Sequence, residues 1–192
     1  MDWVGERRRQ QERVMGKRSS FPRLDRDNYP TPYKATTPLL ECLKPRTKFI
    51  DPRCGAGCLV AHFESAGHVC VGRYGLPDRD VVSARYDDVE PDAIFLTNLP
   101  WRRDVLHPAI INLSNQRPLW TLLDAGWLFT MQAAPFMARL RGIVAVGRLK
   151  WIPDSKHTSK DDAAWMLLDR PRSNETAVIH FVGRSASTGR AA

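Results

Sequence analysis

The sequence predicts an α/β protein with a mostly parallel central sheet. Three observations carry the prediction. Short apolar runs of strand length alternate with segments of helical period along most of the chain. The junctions between them carry glycine, proline and asparagine, the residues of tight strand-to-helix turns. The last third returns to apolar runs without intervening helices, which adds antiparallel pairing at the end of the sheet.

The elements follow in order. Residues 1–28 are polar and basic without a stable apolar period, a segment separate from the folded unit. Eight basic residues lie between Arg7 and Arg26, as either a nucleic-acid-binding arm or a solvated leader. The prolines of YPTPYKATTPLLECL predict an ordered turn and then a short helix over 36–43. TKFIDP gives a buried strand at Lys48–Asp51, and RCGAG is the loop after it. LVAHFESAG reads as a helix stopped by Gly67, and HVCVGRY as the next strand. In LPDRDVVSARYDDVEPD a weak strand is expected at 81–84, with a turn at Asp87-Asp88. DAIFLTN is a short strand ended by LPW. A helix over 104–114, the strand PLWTLLDA, a helix or helix-like segment over 130–140 and the strand GIVAVGRLKW follow. PDSKHTSKDD is a polar loop, and AAWMLLD and TAVIHFV are expected to form a terminal hairpin turning at PRSNE. The single domain runs over 29–185, with a flexible tail at 186–192.

Composition sets limits. The 192 residues suffice for one domain with a full core. No apolar run reaches the length of a bilayer span and the first residues are not a secretory segment, so a cytoplasmic protein without membrane attachment is expected. Cys42, Cys54, Cys58 and Cys70 read as small, buried, reduced thiols. Cys54 and Cys58 lack the second close pair that a metal site would need, so no metal is expected. The net charge of +8 permits a polyanionic partner without identifying one. Trp120, Trp127, Trp151 and Trp165 lie beside apolar strands and read as core or loop anchors.

Two loops carry chemistry. In Asp51-Pro52-Arg53-Cys54-Gly55-Ala56-Gly57, the two glycines follow a strand and precede a helix, where backbone can approach a ligand closely. The GK[ST] ending of a phosphate-binding loop is missing, and the spacing is wrong for a dinucleotide fingerprint. The loop therefore either serves a nucleoside-containing cofactor or is a structural turn, with Asp51 placed to hold a polar or charged ligand group. In Asn98-Leu99-Pro100-Trp101, the Asn98 side-chain oxygen and the Leu99 carbonyl can accept hydrogen bonds from an aryl amine. Pro100 stiffens the turn, and Trp101 offers a flat face to the ring. Taken alone, this loop also reads as a strand-to-loop turn around a packed tryptophan.

With both loops in this order, the chain resembles the adenine-N6 DNA methyltransferases of the bacteriophage and prophage type. DPRCGAG is similar to the family's [DE]PxxGxG cofactor loop and NLPW to its [DN]PP[YFW] catalytic loop. VGRLKWIPDSKHTSKDDAAWMLLD is similar to its downstream strands and substrate-side loop. The resemblance runs from about residue 29 to 169. It implies a Rossmann-like methyltransferase fold with S-adenosylmethionine as cofactor and DNA as partner. Asp51, Gly55 and Gly57 would surround the cofactor, Tyr29, Thr31 and Pro32 would cover its amino-acid end, and Asp87 or Asp88 would lie near its adenine. Asn98, Leu99, Pro100 and Trp101 would be catalytic, and Lys150, Ser155, Lys156, His157 and Lys160 would face nucleic acid. His157 reads equally as a cap of a surface loop, and the alternative for PDSKHTSKDD is a solvated connection between strands.

Two positions depart from the family pattern. Leu99 replaces the first proline, and the second strand ends in Gly72-Arg73-Tyr74 where the family has an acidic residue for the cofactor ribose, leaving Asp78 or Asp80 to reach in from the next loop. Two alternative functions follow: a catalytically degenerate, nucleic-acid-binding form of the fold, or a methyltransferase acting on RNA, protein or a small molecule.

Overall fold

The computed structural model describes residues 30–152, 158–171 and 180–182. Tyr29, Ser155, Lys156 and His157, together with the basic segment 1–28 and the tail 186–192, lie outside the described residues. Among the described residues, seven strands form one sheet. In chain order the elements are α1 (Tyr33–Leu40), β1 (Lys48–Asp51), α2 (Cys58–Ser65), β2 (Val69–Arg73), β3 (Ile94–Thr97), α3 (Arg103–Gln116), β4 (Leu119–Asp124), two 3-10 segments (Ala125–Phe129 and Met131–Arg139), β5 (Leu140–Arg148), β6 (Asp162–Leu168) and β7 (His180–Val182). The sheet order is β2-β1-β3-β4-β6-β5-β7. β2, β1, β3 and β4 run parallel, whereas β6 is antiparallel to both β4 and β5.

Alternation of side chains divides the core between the two faces of the sheet. Ile50, Phe95, Leu123 and Met166 pack with Leu106, Ile110 and Leu113 of α3 on one face. Their chain neighbours Phe49, Leu96, Leu122 and Trp165 pack with Leu39 of α1 and Phe63 of α2 on the other. Trp165 is fully buried and its Nε1–H donates to the Ala35 carbonyl at 2.7 Å, tying α1 across the sheet. Trp127 is buried, and Trp120 and Trp151 pack at the core margin.

The mostly parallel sheet with an antiparallel C-terminal strand is as the sequence predicts, but the expected terminal hairpin is corrected. β6 pairs with β5 rather than with β7, and β7 lies beyond β5 and parallel to it. The reason is burial: five of the seven β6 residues are buried, which suits an interior place between β4 and β5, whereas a hairpin with β7 would leave β6 nearer the edge.

Residues 81–84 are a turn, not a strand. Their backbone groups are satisfied locally and by α3. Asp80 accepts from the amides of Val82, Ser83 and Ala84, and Asn112 Nδ2 donates to the carbonyls of Val81 and Ala84 at 3.0 Å each. With those groups taken, no ladder partner is needed. Arg117 holds the next stretch by donating to the carbonyls of Tyr86, Val89, Glu90 and Ala93. The helix expected over 36–43 sits three residues earlier, with Pro32 at its N-cap. The segment after β4 is 3-10 in type, with Pro135 inside it. All four cysteines are free, but none is fully buried: Cys42 is exposed and the other three are partly so.

Candidate functional site

Because β1 and β3 are adjacent and parallel, the loops that follow them leave the same edge of the sheet. They meet in a pocket. Asp51, Arg53, Cys54, Gly55 and Ala56 line one side with Cys58 and Leu59 of α2, and Asn98, Pro100, Pro30 and Thr31 line the other. The glycine loop turns through left-handed backbone at Gly55 (φ 53°) and at Gly57 (φ 79°), the N-cap of α2. A side chain at Gly57 would be strained whatever the space around it. The Cys54 amide donates to the Tyr74 carbonyl (2.8 Å) and the Tyr74 amide to the Asp51 carbonyl (2.9 Å), so the start of the loop is fixed to the end of β2.

Asp51 is 1% exposed. Its Oδ1 accepts from the Arg53 amide (3.0 Å) and from Thr97 Oγ1 (2.8 Å). Both donors are neutral. Burial therefore dominates, and it pushes the carboxyl up to about 6 against the hydrogen bonds that favour its charged form. Thr97 is itself fully buried and immediately precedes Asn98, so one hydrogen bond joins the two loops. Burial also pushes the Cys54 thiol up to about 11, with Asp51 adding to it.

Asn98 is partly buried, and its Nδ2 donates to Thr31 Oγ1 at 3.2 Å. That bond orients the carboxamide, whose Oδ1 is by its chemistry an acceptor, at the lining of the pocket. Leu99 is buried in the core at 1% exposure, which holds the turn where the sequence lacks a first proline. Trp101 is anchored by Nε1–H donation to the Leu122 carbonyl (3.2 Å) and meets Trp151 edge to face at 5.8 Å between centroids.

Asn98, Pro100, Thr31, Asp51 and Gly55 thus come together, while other expected site residues stand apart. Gly57 caps α2 behind the loop, Pro32 caps α1, and Trp101 stands beside the pocket without lining it. Asp87 and Asp88 are exposed and pair with Arg85 (3.0 Å) and Arg79 (2.5 Å). Arg79 also lies over the rings of Tyr74 (4.2 Å) and Tyr86 (5.1 Å), so its pairing with Asp88 braces the stretch after β2. At the end of β2 the Arg73 guanidinium is drawn to Glu64 at 2.7 Å. Asp78 is exposed and Asp80 caps the 81–84 turn. Lys150 and Lys160 are both exposed. Sequence reasoning missed Thr97, Pro30, Cys58 and Leu59. Thr97 could have been found only from its place one residue before Asn98 at the end of a buried strand.

The pocket chemistry suits the free amino-acid end of a nucleoside-containing ligand. It combines a buried carboxylate with neutral partners, two left-handed glycines that keep the loop open, and small side chains at Thr31 and Ala56. The strand-end acid suited to a ribose diol is missing, since Arg73 occupies that place.

No protein-family model and no curated protein sequence matches the chain. Among solved structures, it is similar to a Listeria monocytogenes protein described as a candidate class I S-adenosylmethionine-dependent methyltransferase. The TM-score is 0.52 at 12% identity, over 85% of this chain and 68% of that one.

Proposed function

We propose, from a chain with the Rossmann-like class I methyltransferase fold, that this protein transfers a methyl group from S-adenosylmethionine to the N6 amine of adenine in DNA. The observation that carries the reading is the convergence of Asp51 and Asn98, from loops 47 residues apart in sequence, on one pocket. The resemblance of DPRCGAG and NLPW to the cofactor and catalytic loops of adenine-N6 methyltransferases supplies the acceptor.

When bound, the cofactor supplies an electrophilic methyl group on a sulfonium. Asp51 and the glycine loop would hold its amino-acid end, since a buried carboxylate with only neutral hydrogen-bond partners suits an ammonium. Asn98 Oδ1 and the Leu99 carbonyl accept from the two N–H bonds of the target amine, which favours the more tetrahedral nitrogen of the transition state. The target amine so held would take the methyl group on its nitrogen lone pair and release its surplus proton to solvent. Trp101, held by Leu122, supports the base after it leaves the duplex stack. Lys150 and Lys160, with Ser155, Lys156 and His157 of the same connection, contact the phosphates. The protein works on DNA in the cytoplasm.

Labelled S-adenosylmethionine should transfer methyl to adenine in unmethylated DNA, and Asn98→Ala should lower the rate by about 100-fold or more. A folded wild-type protein that transfers nothing across varied DNAs refutes the reading, and profiling of RNA, protein and small-molecule acceptors then identifies any other substrate. A second reading rests on Arg73 standing where a ribose-binding acid is expected: the chain is a nucleic-acid-binding form that has lost the cofactor. Calorimetric binding of S-adenosylmethionine to the wild-type protein counts against it.

A further inference from the structure

The 3-10 turn after β4 presents two apolar side chains to solvent on a rigid support. Phe129 is 90% exposed and Met131 is 91% exposed, the two most exposed large apolar side chains among the described residues. The backbone beneath them is fixed. Asp124 accepts from the Gly126 amide at 2.9 Å, and the Trp127 carbonyl accepts from both the amide (3.0 Å) and Oγ1 (2.8 Å) of Thr130, the residue between the two. Trp127 is buried and its Nε1–H donates to His107 on α3 at 3.3 Å, with Phe136 packed against both rings. Side chains held out of the core on so well anchored a turn are poorly explained by folding alone.

The position of the turn points to its partner. β4 lies parallel to β3 with Thr97 opposite Thr121, so the turn leaves the same sheet edge as Asn98. On its other side Asp124 is opposite Ala163 and Arg148 opposite Asp162, which brings both ends of the segment with Lys150 and Lys160 to that edge. Residues 125–139 contain no carboxylate and the chain carries a net charge of +8. An apolar tip on the sheet edge that also carries Asn98, Lys150 and Lys160, with the carboxylates of Asp124, Asp161 and Asp162 at its foot, matches the side chains that wedge between base pairs and unstack them.

We propose that Phe129 and Met131 form a wedge that enters duplex DNA and fills the space of the extruded nucleotide. This rests on the reading of DNA as the substrate but not on cofactor binding. The test is fluorescence anisotropy of the full chain, without cofactor, on a mixed-sequence duplex and on the same duplex with one central abasic site. The abasic duplex spares the cost of unstacking a base, so wild type should prefer it by about tenfold or more. Phe129→Ala/Met131→Ala should reduce that preference to near unity, with the salt dependence of binding to the intact duplex unchanged because phosphate contacts remain. Both side chains are outside the core, so a circular dichroism melt matching wild type is expected.

A double variant that keeps the wild-type preference overturns the wedge, even if the wild type methylates DNA. A wild type that self-associates through this tip, seen as a dimer that the double variant converts to monomer, also overturns it. A preference lost in the double variant together with no methyl transfer supports the wedge while refuting the enzymatic reading.

Discussion

Replacing Asp51 with asparagine separates what the pocket needs from what the fold needs. Asn keeps the shape and an oxygen to accept from Thr97 Oγ1 and the Arg53 amide, but it carries no charge. The carboxyl rises from an ordinary 3.8 to about 6 in the folded protein. A group raised in this way favours folding below its unfolded value, and that contribution is lost as pH rises through its folded value. The difference is about 2 units, or about 3 kcal/mol against the folded state at neutral pH, at 1.36 kcal/mol per unit. Asp51→Asn should therefore be more stable than wild type at pH 7 by up to about 3 kcal/mol, a rise in Tm of up to about 6–12 °C for a chain of this size. The gain should shrink between about pH 6 and pH 4 and vanish below. Chemical and thermal denaturation of both proteins across that range measures it, and taking the difference cancels the other titrating groups. A variant less stable than wild type at pH 7, or a gain that does not change with pH, refutes the reasoning that Asp51 is a desolvated carboxylate without a compensating cation. Calorimetry on the same pair should show weaker binding of S-adenosylmethionine to the more stable protein, the trade-off expected of a strained binding group.

Three further outcomes follow from the geometry. Thr31→Val removes the acceptor of Asn98 Nδ2 and should lower kcat about tenfold with little change in cofactor affinity, whereas Thr31→Ser should restore it; steady-state kinetics with calorimetry on both variants distinguishes this from a cofactor contact. Arg117→Met removes one guanidinium from four loop carbonyls and should cost about 2–4 kcal/mol in urea unfolding, because partly buried acceptors lose their donor. Trp165→Phe loses the bond to the Ala35 carbonyl and leaves a gap in the core between α1 and the sheet, costing about 2–3 kcal/mol by the same measurement.

Much of the fold is legible in local sequence because apolar runs and turn residues act locally. The bounds of β1 are those its apolar run predicts, and α2 follows the glycine loop and stops before Gly67. The places where the sequence misleads are those settled by distant partners. Residues 81–84 have a strand's composition, yet α3 supplies Asn112 and Gln116 to their backbone and to the Tyr86 amide, and no strand forms. The terminal hairpin fails for a similar reason: adjacency in sequence favours β6 with β7, but the apolar faces of β6 are better buried between β4 and β5.

The sequence by itself determined the α/β class, the order of the parallel strands' turns and the two loops that carry polar acceptors, since each depends on side-chain type within a few residues. Only the tertiary structure decided how those loops act together. The Thr97–Asp51 bond, the Asn98–Thr31 bond and the pull of Glu64 on Arg73 join residues 46, 67 and 9 positions apart. The first arises because parallel pairing of β1 and β3 brings their ends to one edge of the sheet, and the second because the chain ahead of α1 crosses that same edge. Burial then gives Asp51 its perturbed charge, and local anchoring by Trp127 gives Phe129 and Met131 their exposure. Neither property belongs to a residue type; both come from what surrounds the residue once the chain has folded.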